Sequence, residues 1–498
     1  MRGFVETAID VEAEIEEHPL ALRLDGDGEP FRILIAGNFS GRKHHRGEPG
    51  KRPMLVDPDT LDAVIASLKP TVTVALGGAE QAQVPIEFRS LDDFHPDSLY
   101  QKLPLFRALH SAKERLAGAR WRPSADPVEP AQTPETPPPS SVGGNLLDAI
   151  LSQQSPPPAS RPENGSAHSN ILSDREWSRM IDRIVAPYVS PVQDPRQLQA
   201  VKAVNEEIQQ SMRAILHDPG FRKVEAAWRA VDFLLRRIET STELSLHVLD
   251  FSYEDLLKDA APSEELEHSH LYKLLVQDAR GTIGSRRWNL IAGLYQVGPQ
   301  TGELQALSRV ASLARKAQAP FLAGGTPQFV GAGSFEKQSD PRQWKEKMED
   351  AAAGLWRELR HNPESQWIGL AMPRFLLRLP YGKNGASVDE FEFEELPGLP
   401  SHSDYLWGNP AVACACALVT GSLELTRMPV HTYKVDGEPE MTPCAEMWFT
   451  DRAVERFMSA GVMALASIKN SDSIRLLRLQ SVNADNPKLG TAGEAASE

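Results

Sequence analysis

Cysteine is scarce in this 498-residue chain: Cys414, Cys416 and Cys444 are the only three. That is too few for a disulfide framework, and an odd number fits a reducing compartment. The Cys414-Ala-Cys416 pair sits in an apolar, alanine-rich run with no histidine cluster to complete a metal set, so the thiols are expected as small core residues. No apolar run approaches the roughly 18 residues of a membrane span. The first 30 residues are acidic and lack a signal-peptide core, so a cytoplasmic chain without membrane insertion is expected. Positive charge is also in deficit, 53 Lys and Arg against 68 Asp and Glu for a net charge of -15. This excludes a surface that grips nucleic acid over its bulk.

Recognisable reaction chemistry is missing as well. The stretch Phe31 to Arg42, FRILIAGNFSGR, breaks from an apolar strand into a glycine-containing turn that suggests a phosphate loop. Its glycines lack either nucleotide-binding spacing, and the basic loop KHHRGEPGKR follows where a helix should start. His44 and His45 in that loop, and His268 and His270 two apart after an acidic run, suit solvated positions better than a chelating pair. Asp92 and Asp93 precede a helix, where free amides and the helix dipole favour carboxylates as caps. No catalytic residue, cofactor or metal site is expected.

What is present is enough apolar material, 41% of residues, for two or three cores. Residues 1–30 form an acidic arm in which Phe4, Val5, Ile9 and Val11 supply the content of a strand that needs a partner edge. A first unit, 31–122, holds the strand above and a helix over Asp57–Leu68 capped by Asp59 or Thr60. A hairpin of Thr71–Leu76 and Val84–Phe88 follows, then a helix to about Ala119. Residues 123–170 are rich in Pro, Ser, Gly and Thr, a linker whose average span is roughly 40 Å as a flexible chain. Within it, Leu146, Leu147, Ile150 and Leu151 make the apolar face of a short amphipathic helix, 145–154. It is too short to be helical alone and has the character of a docking peptide.

The second unit, 171–482, alternates strands and helices and predicts a mixed α/β sheet with helices on its faces. Helices are expected over Asp174–Val189, Asp194–His217 and Phe221–Glu239, the last two separated by Asp218-Pro219. Strands are expected at Leu244–Phe251, Trp288–Tyr295 and Pro320–Gly325, with a helix at Leu304–Ala317 before the last. Towards the C-terminus the pattern gives an alanine-rich helix in Asp404–Val419, strands at Pro429–Lys434 and Glu440–Phe449, a helix at Asp451–Gly461 and a strand at Val462–Ile468. Residues 483–498 are a polar tail.

The most informative stretch is Trp367–Asn409. A short strand ends at Met372-Pro373. Arg374 and Arg378 then flank Phe375, Leu376 and Leu377, placing two guanidinium groups one helical turn apart beside an apolar ridge. Glu390-Phe391-Glu392-Phe393-Glu394 has the period-2 alternation of a half-buried strand, so Glu390, Glu392 and Glu394 are candidates to pair the two arginines at the surface. With no nucleophile, base or phosphate loop nearby, the arginines are expected to be structural.

In order and spacing, PRFLLRLPYG, DEFEFEE and YLWGN resemble the large subunit of the type VI secretion contractile sheath, the TssC or VipB family, as does HDPGFRKVEAAWRAVDFLL at His217–Leu235. FRILIAGNFSGR, the helix after it and FRSLDDFHPDSL resemble the small subunit, TssB or VipA, over residues 1 to about 120. The resemblance implies sheath-type α/β units, a small-subunit-like one fused to a large-subunit-like one. It further implies self-assembly into a helical homopolymer around an inner tube of Hcp-like protein, contraction that drives the tube into a target cell, baseplate proteins as partners, and recycling by a ClpV-like AAA+ unfoldase. In the family that unfoldase grips a short helix near the large subunit's N-terminus; here the similar helix, 145–154, lies inside the chain. A non-contractile scaffold or baseplate adaptor is the alternative reading.

Overall fold

The computed structural model describes residues 30–42, 52–76, 82–118, 195–263, 265–280, 286–336 and 340–491. The arm with Phe4, Val5, Ile9 and Val11, the 123–170 linker with Leu146, Leu147, Ile150 and Leu151, the helix expected at 174–189 and the Gly77-Gly78 turn lie outside those residues.

The first half supplies β1 (Phe31–Gly37), β2 (Met54–Val56), α1 (Leu61–Leu68), β3 (Thr71–Leu76), β4 (Ala82–Glu87), α2 (Pro96–Lys102) and α3 (Pro104–Gly118). β3 and β4 pair antiparallel as the expected hairpin. Thr60 stands at the start of α1 without a side-chain cap; Asp57 Oδ1 instead accepts from the Asp59 and Thr60 amides. Asp93 does cap, accepting from the Arg89 amide at 2.7 Å, and it also pairs with Lys102. The long helix expected here is broken at Leu103, ahead of Pro104, because a proline disfavours helical geometry in the residue before it.

The second half opens with α4 (Pro195–Leu216) and α5 (Pro219–Leu235), separated by Asp218, whose side chain accepts from the Gly220 and Phe221 amides. There follow β5 (Leu244–Asp250), α6 (Tyr253–Asp259), β6 (Leu290–Val297), α7 (Thr301–Ala317), β7 (Phe321–Gly325), α8 (Asp350–His361) and β8 (Ile368–Met372). The C-terminal part carries β9 (Phe375–Leu376), β10 (Trp407–Gly408), α9 (Pro410–Thr420), β11 (Glu424–Leu425), β12 (Thr432–Val435), β13 (Glu438–Met441), α10 (Asp451–Ala460), β14 (Met463–Ser467) and β15 (Ile474–Leu476). The strand expected at Glu440–Phe449 is replaced by the short β12–β13 hairpin turning at Asp436-Gly437, where both residues have positive φ.

Nine strands form one sheet in the order β11-β15-β14-β8-β7-β6-β1-β5-β2. Its centre is parallel and its two edges antiparallel. Strands buried on both faces are apolar nearly throughout, which is why FRILIAG, with the half-buried Arg32 as its one charged residue, and IGLAM show no alternation. Each face covers its own core. From β1, Ile33 and Ile35 enter the core under α1, α4, α5 and α9, while Leu34 and Ala36 enter the one under α6, α7, α8 and α10. The topology has a consequence the sequence did not suggest: β1, from the first half, lies between β5 and β6 of the second. It matches Phe31–Gly37 against Leu244–Asp250 and Ile33–Ala36 against Leu290–Gly293.

Candidate assembly site at the joint between the two halves

The turn that ends β1 is held by the second half. Asp250 Oδ1 accepts from the amides of Phe39 at 2.9 Å and Ser40 at 3.1 Å, so a carboxylate of the second half satisfies the free amides of this turn. Gly41 sits at φ +71°, and a Cβ there would stand 2.8 Å from the Thr71 carbonyl oxygen, so glycine is required on two counts. Trp228 of α5, fully buried, donates from Nε1 to the Phe39 carbonyl at 3.0 Å, and its ring lies 4.9 Å from that of Phe39.

The acidic-aromatic segment forms a second contact. Asp97, in the first turn of α2, accepts from the amides of Asp389 (3.1 Å) and Glu390 (3.0 Å); Gln101 donates to Glu390 Oε1 at 2.7 Å. Tyr100 stacks on Phe391 with centroids 4.5 Å apart. His95 Nε2 lies 3.2 Å from the Ser387 carbonyl, and its ring meets Tyr381 edge-on at 4.9 Å. DEFEFEE is thus a clamp over the first half and not the strand its alternation predicts, because its backbone amides are used by Asp97 instead of a neighbouring strand. The alternation survives only as exposure: Glu390 and Glu392 face outward and Phe393 is buried.

Behind the clamp lies a buried charge network. Arg378 is 8% exposed, so it is not the surface arginine expected. Its Nε donates to Glu225 Oε1 at 2.8 Å, and its terminal nitrogens donate to Glu395 at 2.8 and 3.1 Å. The guanidinium also lies 4.3 Å from the centre of the Tyr381 ring. Arg229 donates to Glu225 Oε1 at 2.7 Å and to the Tyr381 hydroxyl at 2.9 Å, and the Tyr381 amide donates to Glu395 at 2.7 Å. Two guanidinium groups and two carboxylates balance, the condition under which ions are tolerated inside a protein. Burial alone pushes the Glu395 carboxyl up, but the charge of Arg378, with help from His217 and the Tyr381 amide, overcomes it and holds the group at about 2. Arg378 itself is pushed well above its usual value, burial being outweighed by Glu225 and Glu395.

Arg374 belongs to a separate pair. It bonds Glu446 through its backbone amide at 2.8 Å and Nε at 2.9 Å, with a further contact from a terminal nitrogen. The His402 ring stands 3.0 Å from the same carboxylate. Glu446 too is held at about 2, burial being overcome by His402 and Arg374. Residues 373–377 are extended where a helical turn was expected, β9 pairing with β10, so the two arginines diverge and do not clamp one ligand.

None of Glu390, Glu392 and Glu394 pairs with either arginine. Glu392 lies 3.6 Å from the exposed Lys383, Glu394 accepts from the Lys383 amide, and its own carbonyl accepts from Arg213 at 2.8 Å. The residues missed were Glu225, Glu395 and Glu446. Glu225 had left a signal, since it stands four residues after Phe221 and three before Trp228, inside the apolar stripe of α5.

Cys414 and Cys416 are buried as expected, and Cys444 is buried too. His268 is exposed, but His270 departs from the solvated expectation, its ring stacking 5.9 Å from Phe251. Among the described residues there is no His, Cys, Asp or Glu group able to hold a metal ion, and no helix long and apolar enough to cross a membrane.

Two family models match the chain. Residues 28–120 match T6SS_VipA, described as type VI secretion system, VipA, VC_A0107 or Hcp2. Residues 198–483 match VipB, described as EvpB/VC_A0108, tail sheath N-terminal domain. The type VI secretion system sheath protein TssC1 of Pseudomonas aeruginosa is 29% identical over 300 residues, which cover 57% of this chain and 60% of that relative's length. With its VipB match extending over more than half its length and a VipA match ahead of it, the chain belongs to the VipB tail sheath family of type VI secretion and is a fusion of VipA-type and VipB-type sheath subunits.

Proposed function

We propose that this chain is the structural protomer of a type VI contractile sheath, a cytoplasmic protein that polymerises into a helical tube and shortens, without catalysing a reaction. The observation that carries the reading is the sharing of one sheet. A VipA-type strand fills the slot between two VipB-type strands, so the fused chain holds both sheath components in one body at fixed one-to-one ratio. A tube requires heterologous contacts that do not close, and contraction requires two packings of an unchanged protomer. A rigid joint serves both, since subunits can rotate against one another only if each moves as a unit.

In this reading Arg378 and Arg374, with their carboxylate partners, stiffen the joint, and Glu390, Glu392 and Glu394 belong to its clamp. Phe4, Val5, Ile9 and Val11 form a strand donated to a neighbour. Leu146, Leu147, Ile150 and Leu151 form a docking helix for a ClpV-like AAA+ unfoldase. An Hcp-like inner tube and baseplate proteins complete the apparatus. Negative-stain microscopy of the purified chain tests this: long hollow tubes support it, and rings or capped particles favour a non-contractile adaptor. Deletion of residues 4–11 should abolish long tubes while leaving the thermal unfolding of the protomer unchanged; undiminished tubes would remove the donated strand from the account.

A further inference from the structure

β1, an interior strand of the sheet, has no short covalent link to either strand it pairs with. β1 belongs to a segment that ends at Gly118, and both partners follow Pro195. Between these lie residues 119–194, which at about 3.3–3.6 Å per residue reach at most roughly 270 Å. Every contact of the joint therefore runs between two parts of the chain that a long connection leaves unpaired by topology. These are the register of β1 with β5 and β6, the Trp228 bond to Phe39, the Asp250 bonds to Phe39 and Ser40, and the Tyr100 stack on Phe391.

We infer that residues 30–118 of one chain insert into the slot between β5 and β6 of a second copy, so that neighbouring protomers are threaded together covalently. The surface is the β5/β6 slot with the Trp228 and Asp250 side chains, and the partner is a second copy's first half. The contacts made in the exchange are the same as those made within one chain, so their free energy does not choose between them. What favours the closed form is the effective concentration set by the connection, which falls as its length grows. What favours exchange is crowding of copies side by side. Exchange is therefore driven by assembly and reversed by dilution. The inference rests on the sheet and not on the tube: a chain that closes on itself can still polymerise, and a chain that exchanges can stop at a dimer.

Arg32 and Ser245 are matched across β1 and β5, both are half-buried, and their side chains lie on one face of the sheet. Parallel strands stand about 4.8 Å apart, within disulfide range. The test co-expresses two full-length chains with different tags, one carrying Arg32→Cys and the other Ser245→Cys, then oxidises the concentrated protein. A reducible covalent dimer bearing both tags is expected. The double variant R32C/S245C in a single chain is the companion: exchange gives reducible dimers or higher oligomers, lost when the protein is diluted before oxidation. Cross-linked single chains from the double variant, with no mixed dimer from the pair, would overturn the proposal. Absence of cross-links in both would overturn the strand placement beneath it.

Discussion

Arg378, in the loop after β9, and Glu225, on α5, are joined by a 2.8 Å hydrogen bond across 153 positions of sequence, with both groups buried. The bond fixes the loop that leads into the clamp against the helix that carries Trp228. Removing one member of such a pair leaves the other charged and dry, at a cost of about 3–5 kcal/mol. Arg378→Ala is thus expected to lower stability by about that amount in urea denaturation. Arg378→Lys should recover little of it, because a point charge cannot replace a fork that serves two carboxylates.

Acid should destabilise the second half and the clamp it carries. Glu395 and Glu446 are both lowered from the ordinary carboxyl value of 4.5 to about 2. Their stabilisation is therefore complete above about pH 4.5 and is lost as pH falls from there towards 2. Each carboxylate contributes on the order of 3 kcal/mol by linkage. Urea midpoints measured between pH 6 and pH 3 should fall, and Glu395→Gln should make the slope shallower from a lower starting stability. An unchanged slope in that variant would show that Glu395 is not one of the titrating groups.

Much of the fold was legible in sequence, for local reasons. β1, β5, β6, β7 and β8 are apolar runs bounded by turn residues, and α5 begins where Asp218 caps Pro219, signals that need no tertiary knowledge. The order of strands was not legible, because parallel pairing of Ile33 with Leu246 and Leu290 leaves no trace in the residues between. The clamp deceived for a physical reason: alternation records which side chains are covered, and a loop lying on α2 covers every second residue just as a strand does. The buried network was hidden likewise, since the sequence carries the charges but not their desolvation, and only Glu225 within an apolar stripe betrayed it.

Trp228 ties the halves by packing and by one hydrogen bond. Trp228→Ala should cost about 3–5 kcal/mol. With a site-specific protease site placed between residues 119 and 194, the cut wild-type protein should elute from a sizing column as one complex, and the cut variant as two fragments. Co-elution of the cut variant would mean that the remaining joint is sufficient.

The three thiols should be inert in the folded protein. Burial raises Cys414 above the usual thiol range, and burial likewise pushes Cys416 and Cys444 to about 11. An aromatic disulfide reagent at pH 8 should label none of them natively and all three in denaturant. Rapid native labelling of Cys444 would place it at an open surface.

The central claim is that a fused VipA–VipB chain builds a sheath from itself alone. Helical reconstruction by cryo-electron microscopy of the purified full-length chain tests it most directly. The account predicts hollow tubes with one chain per lattice position, each showing density for Phe31–Gly37 between Leu244–Asp250 and Leu290–Val297. Discrete particles at every concentration, or tubes in which that slot is empty, would contradict it.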